Sequence, residues 1–168
     1  MGQWGNVDFE QLRKLQKQLN QFEFDRQAFC EGVAKELAAR FLRGVTKRTP
    51  VGQYPASSGK MGGTLRRGWT AGSSRQASYN ALFQSSEGAD TKAYLDSIQV
   101  QKNGDVYTIE IINPVEYASY VEYGHRTRGG KGWVPGKYMM TITENEINSI
   151  APSLLQKRLE QKLREVMQ

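Results

Sequence analysis

Residues 94–124 read YLDSIQVQKNGDVYTIEIINPVEYASYVEYG, and the order of signals inside this stretch sets the fold class. Asn103-Gly104 is a two-residue hairpin signal, because the central positions of such a turn need positive φ, which Asn and Gly tolerate best. After it, Tyr107, Ile109 and Ile111 alternate with Val106, Thr108, Glu110 and Ile112, the period-two pattern of a strand with one buried face. A β-hairpin is therefore expected over 94–112. Asn113-Pro114 then reads as an N-cap and first helical residue. Tyr117, Tyr120 and Val121 share a face, and Gly124 stands just past the end, so a short helix is expected over 113–124. Strand, turn, strand and helix in immediate succession point to an α+β chain.

Toward the N-terminus the period changes to that of a helix. Asp8 can cap a first helix in which Phe9, Leu12, Leu15, Leu19 and Phe22 recur at three and four residues, and Asp25 can cap a second. In the second, Phe29, Val33, Leu37 and Phe41 are spaced by four, and Cys30, Ala34, Ala38, Leu42 and Val45 widen the stripe. Lys47 and Arg48 suit a helix C-terminus, and Thr49-Pro50 stops it. N-terminal helices are thus expected over 8–48. Burying such side chains is worth about 1.5–3 kcal/mol each, so this stripe belongs to the core. Residues 49–93 read as a long basic Gly/Ser-rich loop and 125–137 as a second, Gly-rich basic loop. C-terminal helices are expected over 138–168: one carries Met139, Met140, Ile142, Ile147 and Ile150, and Pro152 restarts another with Leu155, Leu159, Leu163 and Val166 on one face. The whole of 1–168 is read as a single domain.

The 168 residues are 38% apolar, with three Trp, eight Tyr and six Phe, enough for a folded core. No apolar run approaches the roughly 18 residues that span a bilayer, and residues 1–10 lack the layout of a signal peptide, so a cytoplasmic origin is expected. One cysteine, Cys30, excludes an intrachain disulfide. With His125 the only histidine, no Cys/His metal site can be built from one copy, and no metal or cofactor is expected. Nor is catalysis: nothing near His125 suggests a carboxylate to orient it. The stretch from Gly52 to Lys60 fails as a phosphate loop, with six residues between its glycines and Met61 where Ser or Thr should hold magnesium. Glu116 and Glu122, six apart, do not share a helix face and are expected to meet cations of a neighbour.

Charge is segregated along the chain. Residues 30–80 carry nine basic and two acidic side chains, residues 81–124 two basic and seven acidic, and residues 125–137 four basic and none acidic. Such blocks favour directional head-to-tail association. The alternative is a nucleic-acid-associated module: Arg66, Arg67, Trp69 and Arg75 in one loop, and Arg126, Arg128, Lys131 and Trp133 in another, interleave cations with aromatics and could contact backbone phosphates without reading sequence.

Three segments carry a family resemblance. Thr49-Pro50-Val51 with Ser58-Gly59 and Leu65-Arg66-Arg67-Gly68-Trp69 form the first, Tyr117 to His125 the second, and Gly132-Trp133-Val134-Pro135-Gly136-Lys137-Tyr138-Met139-Met140 the third. In order and spacing they resemble the small tail-completion or head–tail joining proteins of tailed bacteriophages and phage-like particles. The resemblance implies an α+β subunit with N-terminal helices, a small antiparallel sheet and C-terminal helices packed on it. It also implies a structural role in the virion neck, where a tail-completion or tail-terminator ring, commonly six-fold, caps the tail tube and meets the head connector. Assembly would take place in the bacterial cytoplasm. The expected partners are copies of the chain and the neighbouring tail-tube and head-connector proteins, with no membrane and at most non-specific contact with DNA. No catalytic residues come with this family. Thr49, Pro50, Val51, Gly59, Leu65, Arg66, Trp69, Tyr117, Ala118, Val121, Glu122, Tyr123, Gly124, His125, Trp133, Pro135 and Gly136 are expected as fold or interface positions, and Arg126, Arg128 and Lys131 as loop contacts.

Overall fold

A computed structural model of the chain describes residues 10–59, 61–71, 95 and 98–167. The expected cap Asp8, its neighbour Phe9, the start of the expected hairpin at Tyr94, and Lys60, Arg75 and the 72–93 part of the long loop lie outside these residues. Helices stand at both ends with short antiparallel ladders between them, so the fold is α+β.

Helix α1 runs unbroken from Glu10 to Arg48, where the sequence predicts two helices. Residues 20–31 contain neither Gly nor Pro, so nothing forces the backbone to stop and restart. Asp25 caps no second helix. It accepts a hydrogen bond from the Gln21 side chain at 3.3 Å and pairs with Lys162 at 3.2 Å. The final helix, here α4, is likewise a single element, Met139–Val166, with Pro152 inside it where a restart is predicted. Proline removes one backbone donor. The helix persists because it is held to α1 on both sides of that point. Before Pro152, Arg48 donates to Thr143 Oγ1 at 3.2 Å and to Glu146 at 2.7 Å; after it, Arg158 donates to both carboxylate oxygens of Glu36 at 2.9 and 3.1 Å. These ties run in opposite directions along the two helices, which pack antiparallel. Between these ties Gly44 faces Thr143, and a Cβ on Gly44 would lie 2.8 Å from the Thr143 methyl. The N-terminal turns of α1 present Leu12, Leu15 and Leu19 to solvent.

Within the region read as a long loop stand a 3-10 turn, Ala56–Ser58, a one-turn helix α2, Thr64–Arg67, and strand β1, Thr70–Ala71. Strands β2, Gln101–Asn103, and β3, Val106–Thr108, form the expected hairpin. Its closing pair is Asn103 with Val106, so Gly104-Asp105 occupies the turn, one residue later than predicted, and Gly104 takes φ 61°. The predicted strand over 105–112 divides: after β3, strand β4, Ile111–Ile112, leaves the hairpin and pairs with β1. The alternation still holds, with Tyr107, Ile109 and Ile111 half-buried and Val106, Thr108, Glu110 and Ile112 exposed.

The short helix, α3, is Ala118–Tyr123 and begins five residues later than predicted. Asn113 is not its cap. The Asn113 side chain accepts from the Val115 N–H at 3.2 Å and donates to the Leu65 carbonyl at 2.8 Å, binding its own turn to α2. The basic segment after α3 is not all loop: β5, Gly124–Arg126, pairs antiparallel with β6, Trp133–Pro135.

The core gathers Ala38, Leu42 and Val45 of α1 with Leu65, Trp69, Ala71, Ile98 and Met139. Through Met139 and Met140 the start of α4 joins the same cluster as Ala71 of β1 and Ile111 of β4. Among the described residues no helix is long and apolar enough to cross a membrane.

Candidate interaction surface

Two polar nodes hold the predicted motif residues in place. The first is Thr49, wholly buried where α1 ends. Its hydroxyl donates to the Val45 carbonyl at 2.7 Å and accepts from the Trp69 indole N–H at 2.8 Å. Its carbonyl, one of those a helix end leaves unsatisfied, accepts two bonds from the Arg66 guanidinium, at 3.0 and 2.7 Å. Thr49, Arg66 and Trp69, separated by up to twenty residues, thus form one joint between α1 and the α2 region. Leu65 is buried beside them.

The second node is Glu122, only 4% exposed. Its carboxylate accepts from the backbone N–H of Met140 at 3.0 Å and of Thr141 at 3.1 Å, and from the Thr141 hydroxyl at 3.0 Å. These are donors of the first turn of α4, whose positive dipole end favours an anion. The residue before that turn, Tyr138, has φ 49° and provides no side-chain cap, so Glu122 supplies the cap from another element. The expectation that Glu122 meets a neighbour's cation is therefore corrected: it is spent inside the subunit. Backbone bonds from Lys137 N to Val121 O (2.8 Å) and from Tyr138 N to Glu122 O (3.0 Å) complete the latch. Both glycines of the motif are required by close approach. A Cβ on Gly136 would lie 2.2 Å from the Glu122 carbonyl, and Gly124, at φ 87°, has the Val134 carbonyl 2.5 Å from the same construction.

What the second node fixes is an outward-facing unit, α3 with the β5–β6 hairpin. Tyr117, Tyr120 and Tyr123 of the α3 segment, Trp133 and Val134 of β6 and Tyr138 are all exposed. Tyr138 combines a left-handed backbone, tied through its N–H to the Glu122 carbonyl, with an exposed ring. Arg126, Arg128, Lys131 and Lys137 surround the aromatics, all exposed, and among the described residues none of their side chains has an acidic partner. His125 is half-buried; its Nδ1 lies 3.4 Å from the Tyr120 carbonyl and its ring centroid 5.8 Å from that of Tyr120.

The remaining predicted positions divide by burial. Ala118 and Val121 pack against the core, whereas Pro50, Val51, Gly59 and Pro135 are exposed. Sequence reading missed the Glu122 cap, whose helix begins seventeen residues later, and missed a cleft of about 270 Å³ lined by Pro50, Val51, Tyr54, Met61, Tyr117 and Val121. The signal for the cleft is the set of scattered apolar residues in a segment otherwise rich in Gly and Ser.

The family model described as "Bacteriophage HK97-gp10, putative tail-component", named HK97-gp10-like, matches residues 12–124, two thirds of the chain. The match covers the Thr49 node, β1 to β4 and α3. No curated protein and no solved structure matches the chain. The chain belongs to the HK97-gp10-like family of phage tail components.

Proposed function

Starting from that membership, we propose that this chain is a non-enzymatic ring subunit of the virion neck, a tail-completion or tail-terminator protein that joins the tail tube to the head connector as six copies. The observation that carries the reading is the contrast within α3 and its hairpin. Internal bonds at Glu122 fix the backbone, while three tyrosines and a tryptophan are held out from it, exposed, with four cations that have no acidic partner among the described residues. Aromatic and cationic side chains on a preorganised support are what a contact surface needs, because little conformational entropy is lost on docking. Copies and adjoining tail and head proteins are its partners, and the assembled virion is where it acts.

The test is assembly in infected cells that lack this chain. Full heads and finished tails that accumulate unjoined, and join when purified protein is added, are the expected result. Normal yields of joined particles would refute the role. The four unpaired cations favour a second reading, contact with DNA phosphates. It requires tight binding at physiological salt that falls steeply as salt rises, with loss of about one unit of salt slope for each cation removed.

A further inference from the structure

The turn that joins β5 to β6 is built on Thr127. Its N–H donates to the Gly132 carbonyl at 3.0 Å, its carbonyl accepts from the Gly130 N–H at 2.9 Å, and its hydroxyl accepts from the Gly132 N–H at 3.1 Å. These bonds leave the N–H groups of Arg128, Gly129 and Lys131 without acceptors among the described residues. Gly129 (φ 105°) and Gly130 (φ 74°) have open space where a side chain would stand, so a ligand can approach the bare backbone. Arg126, Arg128 and Lys131 are exposed around it, with no acidic partner among the described residues. Nothing nearby in sequence offsets them: no acidic residue stands between Glu122 and Glu144, and Glu122 is spent on the start of α4. Backbone donors beside unpaired cations are the chemistry of an anion site. The kind of anion follows from what the turn lacks. Residues 128–132 read Arg-Gly-Gly-Lys-Gly, with no apolar side chain for a protein partner to pack on, whereas a phosphate chain needs only charge and donors.

We propose that this turn binds the phosphodiester backbone of duplex DNA, and that one duplex engaging it in several copies at once strengthens their association. This rests on the ring reading above and differs from the second one, which asks a single copy to hold DNA tightly. Three cations give about three phosphate contacts, below the roughly six to ten behind steeply salt-dependent binding, so a lone copy should bind on the order of 10⁻⁴ M or more weakly at physiological salt. Copies lined along one duplex gain by avidity, roughly 10²- to 10⁴-fold. Each copy carries a net charge of +6, so copies brought together repel, and a polyanion among them offsets that repulsion.

The experiment follows self-association of the full-length protein by light scattering, with and without a duplex long enough for several copies, while fluorescence anisotropy of the labelled duplex reports binding. The long duplex should strengthen wild-type association at least about ten-fold, and a duplex short enough for one copy should not. R126Q/R128Q/K131Q, checked for folding by circular dichroism, should lose that response, and R43Q/K47Q, which removes two exposed cations of α1, should keep it. Wild type that assembles alike with and without DNA overturns the inference and leaves the ring reading standing. So does a response lost equally in both variants, which would make net charge its source, or one reproduced by poly-glutamate, which would make it blind to phosphate. Tight binding by copies that stay monomeric on the long duplex overturns it in favour of the second reading. A chain that binds no DNA and stays monomeric at every concentration, even with tail extract added, overturns both the inference and the ring reading.

Discussion

At the scale of single residues, Glu122 and Thr49 do the work that secondary structure leaves undone. Glu122→Ala strips acceptors from two backbone N–H groups and a hydroxyl in a half-buried place, and should lower stability by about 2 kcal/mol. Chemical denaturation at neutral pH measures this, and an unchanged midpoint would contradict the latch. Trp69→Phe deletes the donor to Thr49 and also leaves a void in the core where the larger indole stood, so it should cost over ~2 kcal/mol; Thr49→Val leaves the buried indole N–H unpaired and should cost about 1–2 kcal/mol. The two together should cost less than their sum, as expected of partners in one bond. Gly136→Ala forces a Cβ onto the Glu122 carbonyl and should cost over ~2 kcal/mol. These roles were only partly legible in the sequence. The motif marks Thr49, Trp69, Glu122 and Gly136 as positions of interest, but their bonds and close approaches join residues 14 to 20 apart, and no local periodicity reports such pairing.

Elements show a sharper division between what local pattern decides and what packing decides. The apolar stripe of α1 from Phe29 to Val45 and the alternation over 106–112 were readable because the 3.6- and 2-residue periods mark their buried faces, whereas the same period over Leu12, Leu15 and Leu19 marks a face left exposed. The continuity of α1 and α4 was not, since Asp25 and Pro152 carry boundary signals that tertiary ties override. The same holds for β1 with β4 and for β5 with β6: a two- or three-residue strand has too little pattern to announce itself. Two predictions belong to the α1–α4 contact. Replacing Gly44 by Ala should gain about 1 kcal/mol of helix propensity but push the Thr143 methyl aside at greater cost, so a net loss of stability is expected; a net gain would show that the helices can part freely. Hydrogen bonding from Arg158, against some opposing desolvation, holds the Glu36 carboxyl below its ordinary value of 4.5, with Arg40 adding to the effect. A depressed carboxyl stabilises the fold above 4.5 and loses that contribution as pH falls through the lower folded value. Glu36 is 18% exposed but Arg158 nearly half, so screening limits the pair to about 1 kcal/mol. The stability gap between wild type and Glu36→Gln should accordingly be present at pH 7 and shrink below pH 4.5; a gap independent of pH would exclude the ion pair as its source.

For the whole molecule, the charge blocks of the sequence are reapportioned by folding. Arg48 and Arg66 from the basic block are engaged inside the subunit, as is Glu122 from the acidic one, whereas the four cations of 125–137 all remain outside. The hairpin therefore keeps its cations free of acidic partners among the described residues, while the longer basic segment spends part of its charge inside the subunit. If copies bury the exposed aromatics against one another, the thermal midpoint of the purified chain should climb with protein concentration, by mass action. Differential scanning calorimetry over a hundred-fold dilution checks this, and a constant midpoint would mean that each subunit melts alone.

Helix α1, with 39 residues, is a rod of about 58 Å. Because no residue interrupts it, a load applied at its Leu12 end finds no hinge within the rod and is shared along it, first with α4 through Lys162 and Arg158 and then with the polar knot at Thr49.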